Sequence, residues 1–141
     1  MGIETTFSII KPNAMKKGAI GAIINKFESN GLTVAALKMI NLDRAKAEEF
    51  YAEHKERPFF GELVEFMTSG PIVVMALRGE NAVTRNREIM GATDPEKASE
   101  NTIRREFGDS IGENAVHGSD SPESADRELK LFFEKSEFVN M

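Results

Sequence analysis

Residues 72–77 read Ile-Val-Val-Met-Ala-Leu, an unbroken apolar run that follows the pair Gly70-Pro71. A strand with one face in water alternates apolar and polar side chains, whereas a continuous run is typical of a strand that is buried on both faces. The run therefore predicts a central strand that other elements of the chain cover on both sides.

The rest of the chain alternates between strand and helix patterns. Two further strands are predicted at Ile3 to Ile10 and at Leu32 to Leu42, the second with one face formed by Val34, Ala36, Lys38 and Ile40. Helices are predicted between them by apolar spacings of three and four residues, with start and stop signals at Gly31, Asp43, Asn81 and Ser121-Pro122. This alternation indicates a sheet with helices packed on it, although spacing alone does not give the strand order.

Residues 91 to about 113 differ in character, because they combine glycines and many charges with few apolar side chains. A segment this long with little periodicity in a compact domain is usually functional or disordered. The residues that follow it, Asn114 to His117, are predicted to form a short strand.

Length and composition narrow the class of protein. A chain of 141 residues predicts one domain, residues 1–141. The absence of cysteine excludes disulfides, thiolate zinc sites and a cysteine nucleophile. The N-terminus lacks the pattern of a signal peptide and no apolar run approaches the roughly 18 residues that span a bilayer, so we expect a cytoplasmic protein without a membrane partner. The net charge of −5 argues against a nucleic-acid binder.

His117 is the first candidate for chemistry, and it is one of only two histidines. It precedes Gly118, which lets a ligand approach the backbone closely, and the helix start at Ser121-Pro122. The N-terminus of a helix favours a nearby phosphate through its free N–H groups. The other histidine, His54, is expected to be structural or solvated, and no cluster of residues suggests a metal site.

Glu128 lies at the border of the apolar stripe of the last predicted helix. We expect that its carboxylate could accept the Nδ1–H of His117, which would fix the tautomer and leave the other nitrogen as the nucleophile. The alternative is that Glu128 is one more solvated charge on a helix.

Lys11, Arg87 and Arg104 are the candidate phosphate ligands, because each is a cation near a turn or in the irregular segment. Arginine binds phosphate oxygens as a fork and lysine as a point charge. The chain contains no glycine-rich phosphate loop of the P-loop or dinucleotide-binding type. A nucleotide would therefore be bound without a glycine-rich phosphate loop.

Residues 114–120, Asn-Ala-Val-His-Gly-Ser-Asp, resemble the signature Asn-x-x-His-Gly-Ser-Asp of nucleoside diphosphate kinases. Further segments resemble the same family in order and register between about residues 3 and 135, namely 6–14, 50–54, 57–60, 67–71, 91–95 and 102–104. The resemblance implies an α+β fold, a ferredoxin-like βαββαβ sandwich with a four-stranded antiparallel sheet covered by helices.

The resemblance also implies a ping-pong reaction, in which a nucleoside triphosphate phosphorylates His117 and a nucleoside diphosphate then takes the phosphoryl group. Glu128 would orient the histidine, with Ser119 hydrogen-bonded to that glutamate. The phosphates and ribose would be held by Lys11, Arg87, Thr93, Arg104 and Asn114, with Tyr51 against the histidine and Lys11. The base would stack on Phe59, with Leu63 and Ile111 on its other sides, and stacking tolerates every base.

The partners that the resemblance implies are ATP, other nucleoside tri- and diphosphates, and further copies of the chain in a tetramer or hexamer built from dimers. Mg²⁺ would arrive on the nucleotide and would not be held by a protein cage. One departure from the family is Glu100-Asn101, where members usually have Pro-Gly or Ala-Gly before Thr102. If that position needs a positive φ, Asn tolerates it better than most residues.

Two other interpretations remain at this stage. A phosphohistidine relay protein would carry phosphate without turning over nucleotides, but its histidine normally lies mid-helix, unlike His117 before Gly118. A non-catalytic regulatory or DNA-associated homologue is disfavoured by the complete set of candidate residues and by the acidic balance of the chain.

Overall fold

The strand formed by Ile72–Glu80 (β3) lies between two neighbours, as the apolar run predicts. The computed structural model describes residues 2–141. Its sheet has the order Thr33–Ile40 (β2), β3, Ile3–Ile10 (β1), Val116–Gly118 (β4), and every neighbouring pair is antiparallel. Residues 72, 74 and 76 of β3 belong to one apolar cluster and residues 73, 75 and 77 to another. Both faces of the central strand are therefore covered.

The other strands are Ile3–Ile10 (β1), Thr33–Ile40 (β2) and Val116–Gly118 (β4). The helices are Pro12–Lys16 (α1), Ile20–Ser29 (α2), Arg44–Phe50 (α3), Phe60–Met67 (α4), Ala82–Met90 (α5), Ile103–Phe107 (α6) and Pro122–Phe132 (α7). Short 3₁₀ turns occur at Ala52–His54, Pro95–Lys97 and Lys135–Glu137. None of the helices within residues 2–141 has the length and apolar character needed to cross a bilayer.

Helices cover the sheet in two layers. Phe50 of α3 and Phe132 of α7 pack against Phe7 on one face. Phe27 of α2 and Met90 of α5 contribute to the cluster on the other face. This arrangement and the strand order are those of the predicted ferredoxin-like sandwich, with α3 and α4 inserted between β2 and β3.

Strand β4 is short, and its pairing with β1 positions His117. Ile9 pairs with His117 and Ser8 with Gly118. The N–H of Lys11, just beyond the end of β1, donates to the carbonyl of Ala115 at 2.8 Å. Ala115 has a φ of 76°, a conformation that costs an L-residue about 1–2 kcal/mol, and it lies immediately before β4.

Three details differ from the sequence predictions. The short strand begins at Val116 and not at Asn114, because the backbone at Ala115 is left-handed and not extended. Strand β2 has a register shift between Val34 and Ala36, so its predicted face does not include Val34, which packs in the opposite cluster. The side chain of Asn81 does not cap α5; the carboxylate of Glu4 accepts from Val83 N–H in its place, at 3.2 Å.

The other predicted helix starts are confirmed. Asp43 accepts from the N–H of Lys46 and Ser121 from the N–H of Ser124. The irregular segment is ordered around α6 and a 3₁₀ turn. Asn101 within it has a φ of 72°, the conformation that glycine would adopt at no cost.

Gly118 packs too closely against α5 to carry a side chain. A Cβ there would meet the Nδ2 of Asn86 and lie 2.8 Å from the Cε of Met90. We expect Gly118→Ala to lower the free energy of unfolding by roughly 1–3 kcal/mol. Gly21→Ala, at an exposed helical position with no heavy atom within 4 Å of the added Cβ, should raise it by about 0.5–1 kcal/mol. Urea denaturation of the two variants measures both values, and equal stabilities would contradict the packing argument.

Candidate active site

His117 lies at the middle of β4, and its ring meets α7. The Nε2 of His117 is 2.9 Å from the Oε1 of Glu128, and the hydroxyl of Ser119 donates to the same oxygen at 2.7 Å. Ser119 and Glu128 are both buried. The structure therefore brings together the histidine, the carboxylate and the serine that the sequence singled out, and the solvated alternative for Glu128 is wrong.

The identity of the bonded nitrogen corrects the sequence expectation, which gave Nδ1 to Glu128. Because α7 begins four residues after β4, Glu128 reaches the far edge of the ring, where Nε2 lies. A carboxylate can only accept, so Nε2 carries the proton and Nδ1 keeps a lone pair. Nδ1 has no hydrogen bond within residues 2–141.

Aromatic rings hold the imidazole in place. The ring of Phe50 contacts that of His117 edge-on, with 5.0 Å between centroids, and Phe7 lies 6.1 Å away. Burial lowers the pKa of His117 below its ordinary value, although the hydrogen bond to Glu128 acts in the opposite direction. The neutral ring is therefore the main form at neutral pH.

Tyr51 lies beside the same group of residues. Its hydroxyl is buried without a hydrogen-bond partner in the described part of the chain. Burial, and then the charge of Glu128, raises the pKa of Tyr51, so the phenol stays protonated and free to donate.

Hydrogen bonds connect three polar residues in the lining of the site, Lys11, Asn114 and Thr93. The Nζ of Lys11 donates to the Oδ1 of Asn114 at 2.9 Å, and the Nδ2 of Asn114 donates to the carbonyl of Thr93 at 3.2 Å. Burial and the neighbouring Arg104 lower the pKa of Lys11 to about 7. An arriving anion would favour the charged form of this lysine.

Arg104 of α6 connects the start of the irregular segment to β4. Its two Nη atoms donate to the carbonyls of Gly91 and Val116 at 3.1 and 2.9 Å. Burial and the charge of Arg87 lower the pKa of Arg104 to about 10, so it remains charged at neutral pH. Arg87 itself is exposed on α5 and makes no ion pair within residues 2–141.

An open cleft of about 660 Å³ lies in front of these residues. Its apolar end is formed by the side chains of Phe59, Leu63 and Ile111, and Phe59 and Ile111 are 45% and 60% exposed. Its inner end reaches the charged and polar side chains. The cleft is lined by nine of the twelve predicted site residues: Lys11, Tyr51, Phe59, Leu63, Thr93, Arg104, Ile111, Asn114 and His117.

A second cavity of about 200 Å³ adjoins the cleft at His117 and includes Arg87 and Glu128. Ser119 lines neither space and acts behind the ring. Cationic side chains thus line both cavities at His117, and the buried carboxylate of Glu128 meets the ring at Nε2. This geometry can place an anionic group against Nδ1.

Sequence reasoning missed several residues of the site. His54, for which the sequence predicts a structural or solvated role, lines both cavities, and its ring lies 5.8 Å from that of Phe59. Asp120 and Arg127 line the smaller cavity, and Arg127 lies 3.6 Å from the Oε2 of Glu128. The position of Arg127 beside Glu128, and that of Asp120 at the end of the signature motif, could have indicated two of them.

A family model described as nucleoside diphosphate kinase matches residues 4–138. The chain belongs to the nucleoside diphosphate kinase family. It is 71% identical over 141 residues to the nucleoside diphosphate kinase of Bdellovibrio bacteriovorus, and the match covers 100% of both chains. Membership makes it a phosphotransferase that moves phosphate between nucleotides.

Solved structures of nucleoside diphosphate kinases share the fold. That of Aquifex aeolicus superposes with a TM-score of 0.96 at 51% identity, covering 98% of this chain and 100% of that one. That of Halobacterium salinarum, solved in complex with CDP, gives a TM-score of 0.95 at 40% identity, covering 99% and 93% of the two chains. The predicted family and fold are therefore confirmed.

Lys11 should take up a proton when a nucleotide binds. With a pKa of about 7, most of the lysine is neutral in the nucleotide-free protein at about pH 8, and a phosphate anion should restore its charge. Calorimetric titration with ADP in buffers of different ionisation enthalpy should show uptake approaching one proton at about pH 8 and much less at about pH 6. The uptake should disappear in Lys11→Met and persist in Lys16→Met. Equal uptake in the two variants would assign the proton to another group.

Proposed function

We propose that the phosphoryl group passes from one nucleotide to the other through Nδ1 of His117. The observation that carries this proposal is the 2.9 Å contact between Nε2 and Glu128, which leaves Nδ1 as the ring nitrogen with a free lone pair. Ser119 keeps the carboxylate in place through its own hydrogen bond. The low pKa of His117 maintains the nucleophilic form at neutral pH.

The reaction has two matched halves. Nδ1 attacks the γ-phosphorus of a nucleoside triphosphate, an N–P bond forms, and the bond to the β,γ-bridging oxygen breaks, so the diphosphate leaves. A terminal oxygen of a second nucleoside diphosphate then attacks the phosphohistidine and regenerates the free ring. The positive charge that develops on the ring is stabilised by Glu128 through Nε2–H.

Phosphoryl transfer needs positioning and charge neutralisation more than proton transfer. We assign these tasks to Lys11, Arg87 and Arg104, with Thr93 and Asn114 contacting phosphate or ribose. Tyr51 has a protonated hydroxyl that can donate to the transferring group.

Mg²⁺ fits this site as an ion that arrives with the nucleotide. Residues 2–141 contain no cluster of three or more histidine or carboxylate side chains that could hold a metal. Asp120, in the smaller cavity, offers a single carboxylate, and its pKa is lowered by the hydrogen bond from Ser124. When bound, Mg²⁺ would neutralise charge on the phosphate oxygens.

The apolar end of the cleft supports broad acceptance of bases. Phe59 offers a half-exposed ring face, and Leu63 and Ile111 offer apolar contacts without a pattern of donors and acceptors. Stacking of this kind accepts purines and pyrimidines alike. ATP is therefore proposed as one donor among several. The single domain over residues 1–141, the cytoplasmic location and the tetramer or hexamer stay predictions.

Labelling with γ-³²P-ATP tests the nucleophile. The protein should acquire an acid-labile label that ADP or GDP removes, and His117→Gln should acquire none while keeping its fold. Glu128→Gln should slow labelling by about 10²–10⁴-fold, because the amide no longer fixes the tautomer or balances the charge.

Asp126→Asn is the matched control for Glu128→Gln, since Asp126 lies on the same helix but is exposed and pairs only with Lys130 within residues 2–141. It should label at the wild-type rate. Label that no diphosphate removes would favour the phosphohistidine relay, and label on His117→Gln would refute the assignment of the nucleophile.

Replacing Phe59 by Ala tests the mode of base recognition. Loss of one stacking contact, worth about 1–3 kcal/mol, should raise KM by roughly 5- to 150-fold. The factor should be similar for ATP, GTP and CTP, with kcat changed little. Steady-state assays with each donor measure it, and an effect confined to one base would indicate hydrogen-bonded base recognition.

A further inference from the structure

The loop of residues 108–113 forms one wall of the cleft. Ser110, Ile111 and Gly112 line it, and Ile111 is 60% exposed toward solvent. A side chain on an exposed loop is poorly placed to hold a nucleobase unless the loop itself is fixed. What fixes this loop therefore matters for the base end of the cleft.

The loop is first closed on itself. The N–H groups of Asp109 and Ser110 donate to the carbonyl of Glu113 at 2.8 and 3.3 Å. The N–H of Glu113 donates to the hydroxyl of Ser110 at 3.1 Å. These bonds make the loop a compact unit, but none of them connects it to the rest of the domain.

The connection comes from α1 and the residue that ends it. The Nδ2 of Asn13 donates to the Oδ2 of Asp109 and to the carbonyl of Glu113, both at 2.8 Å. The Nζ of Lys17 contacts the other carboxylate oxygen of Asp109 at 2.7 Å and the carbonyl of Phe107 at 2.8 Å. Both oxygens of Asp109 are thus used by side chains almost a hundred residues earlier in the chain.

The same helix is next to the phosphate end of the site. Helix α1 begins directly after Lys11, whose Nζ contacts Asn114, the residue that follows the loop. Asn13 is buried, with 7% of its surface exposed. The loop that forms one wall of the cleft and Lys11 are therefore both attached to α1.

We propose that Asn13, Lys17 and Asp109 form a clamp that sets the position of Ile111 and so the fit of the nucleobase. The three residues are positioning residues, because none of them lines the contact between His117 and the phosphates. The clamp rests on the proposed function of the cleft as a nucleotide site. The pKa of Asp109 is lowered by the hydrogen bonds from Lys17 and Asn13, so its carboxylate stays charged and keeps both donors at neutral pH.

The test compares a donor that has a base with one that lacks it. ATP and ribose 5-triphosphate share the ribose and the triphosphate, so a change confined to ATP reports on the base end alone. In Lys17→Met, KM for ATP should rise roughly two- to fivefold, as expected for loss of a half-exposed ion pair. In Asp109→Ala it should rise about two- to tenfold, because Asn13 also loses an acceptor.

For both variants kcat with ATP, and kcat/KM with ribose 5-triphosphate, should stay within about twofold of wild type. In the double variant KM for ATP should rise by less than the product of the two single-variant factors, since both changes remove the same contact between Lys17 and Asp109. Lys16→Met is the control, because Lys16 is exposed and makes no ion pair within residues 2–141. This variant should leave the kinetic constants for both donors unchanged.

Equal losses for the two donors, or unchanged KM for ATP, would overturn the clamp. Circular dichroism melting curves check that each variant is folded, and Lys17→Met keeps the test open if Asp109→Ala does not fold. Failure of the proposed function would be distinguishable, because the wild-type protein would then acquire no label from ATP.

Discussion

The pairing of β4 with β1 is the interaction on which the site depends. Strand β4 has only three residues, yet its register with β1 sets Ile9 opposite His117. The same junction brings Lys11 to Asn114 by way of the turn at Ala115. Gly118 allows α5 to approach this pairing closely, and α5 also carries Arg87. A small, closely packed region therefore carries His117 and most of the charge around it.

The two sides of the His117 ring face groups of opposite charge. On one side a buried carboxylate faces Nε2, and the ring of Phe50 contacts the imidazole edge-on. On the open side lie cations whose burial makes their charge costly unless an anion is present. An anionic nucleotide relieves that cost, so the site is matched to its ligand by electrostatics as well as by shape. The backbone bonds of Arg104 keep the charge in place before the ligand arrives.

Specific contacts hold the segment between α5 and β4, whose conformation the sequence did not predict. Asn101 adopts the positive φ that glycine would provide, and Lys26 donates to its carbonyl at 2.9 Å from α2. Asp109 fastens the next loop to α1. The segment between α5 and β4 thus has little apolar periodicity because polar contacts, and not a continuous apolar face, order much of it. The sequence pattern of this segment is typical of a functional or a disordered segment, and the structure shows that the segment is ordered.

The sequence predicts the family, the layered fold and twelve candidate site residues, because the apolar run of β3 and the motif around His117 are local patterns. It also predicted the caps at Asp43 and Ser121, where side chain and backbone are neighbours in the chain. Tertiary structure alone decided which ring nitrogen meets Glu128 and which face of β2 contains Val34. It also decided that His54 lines the cleft. These outcomes depend on how separate elements meet in space, to within a few ångströms, and local spacing carries no information about that.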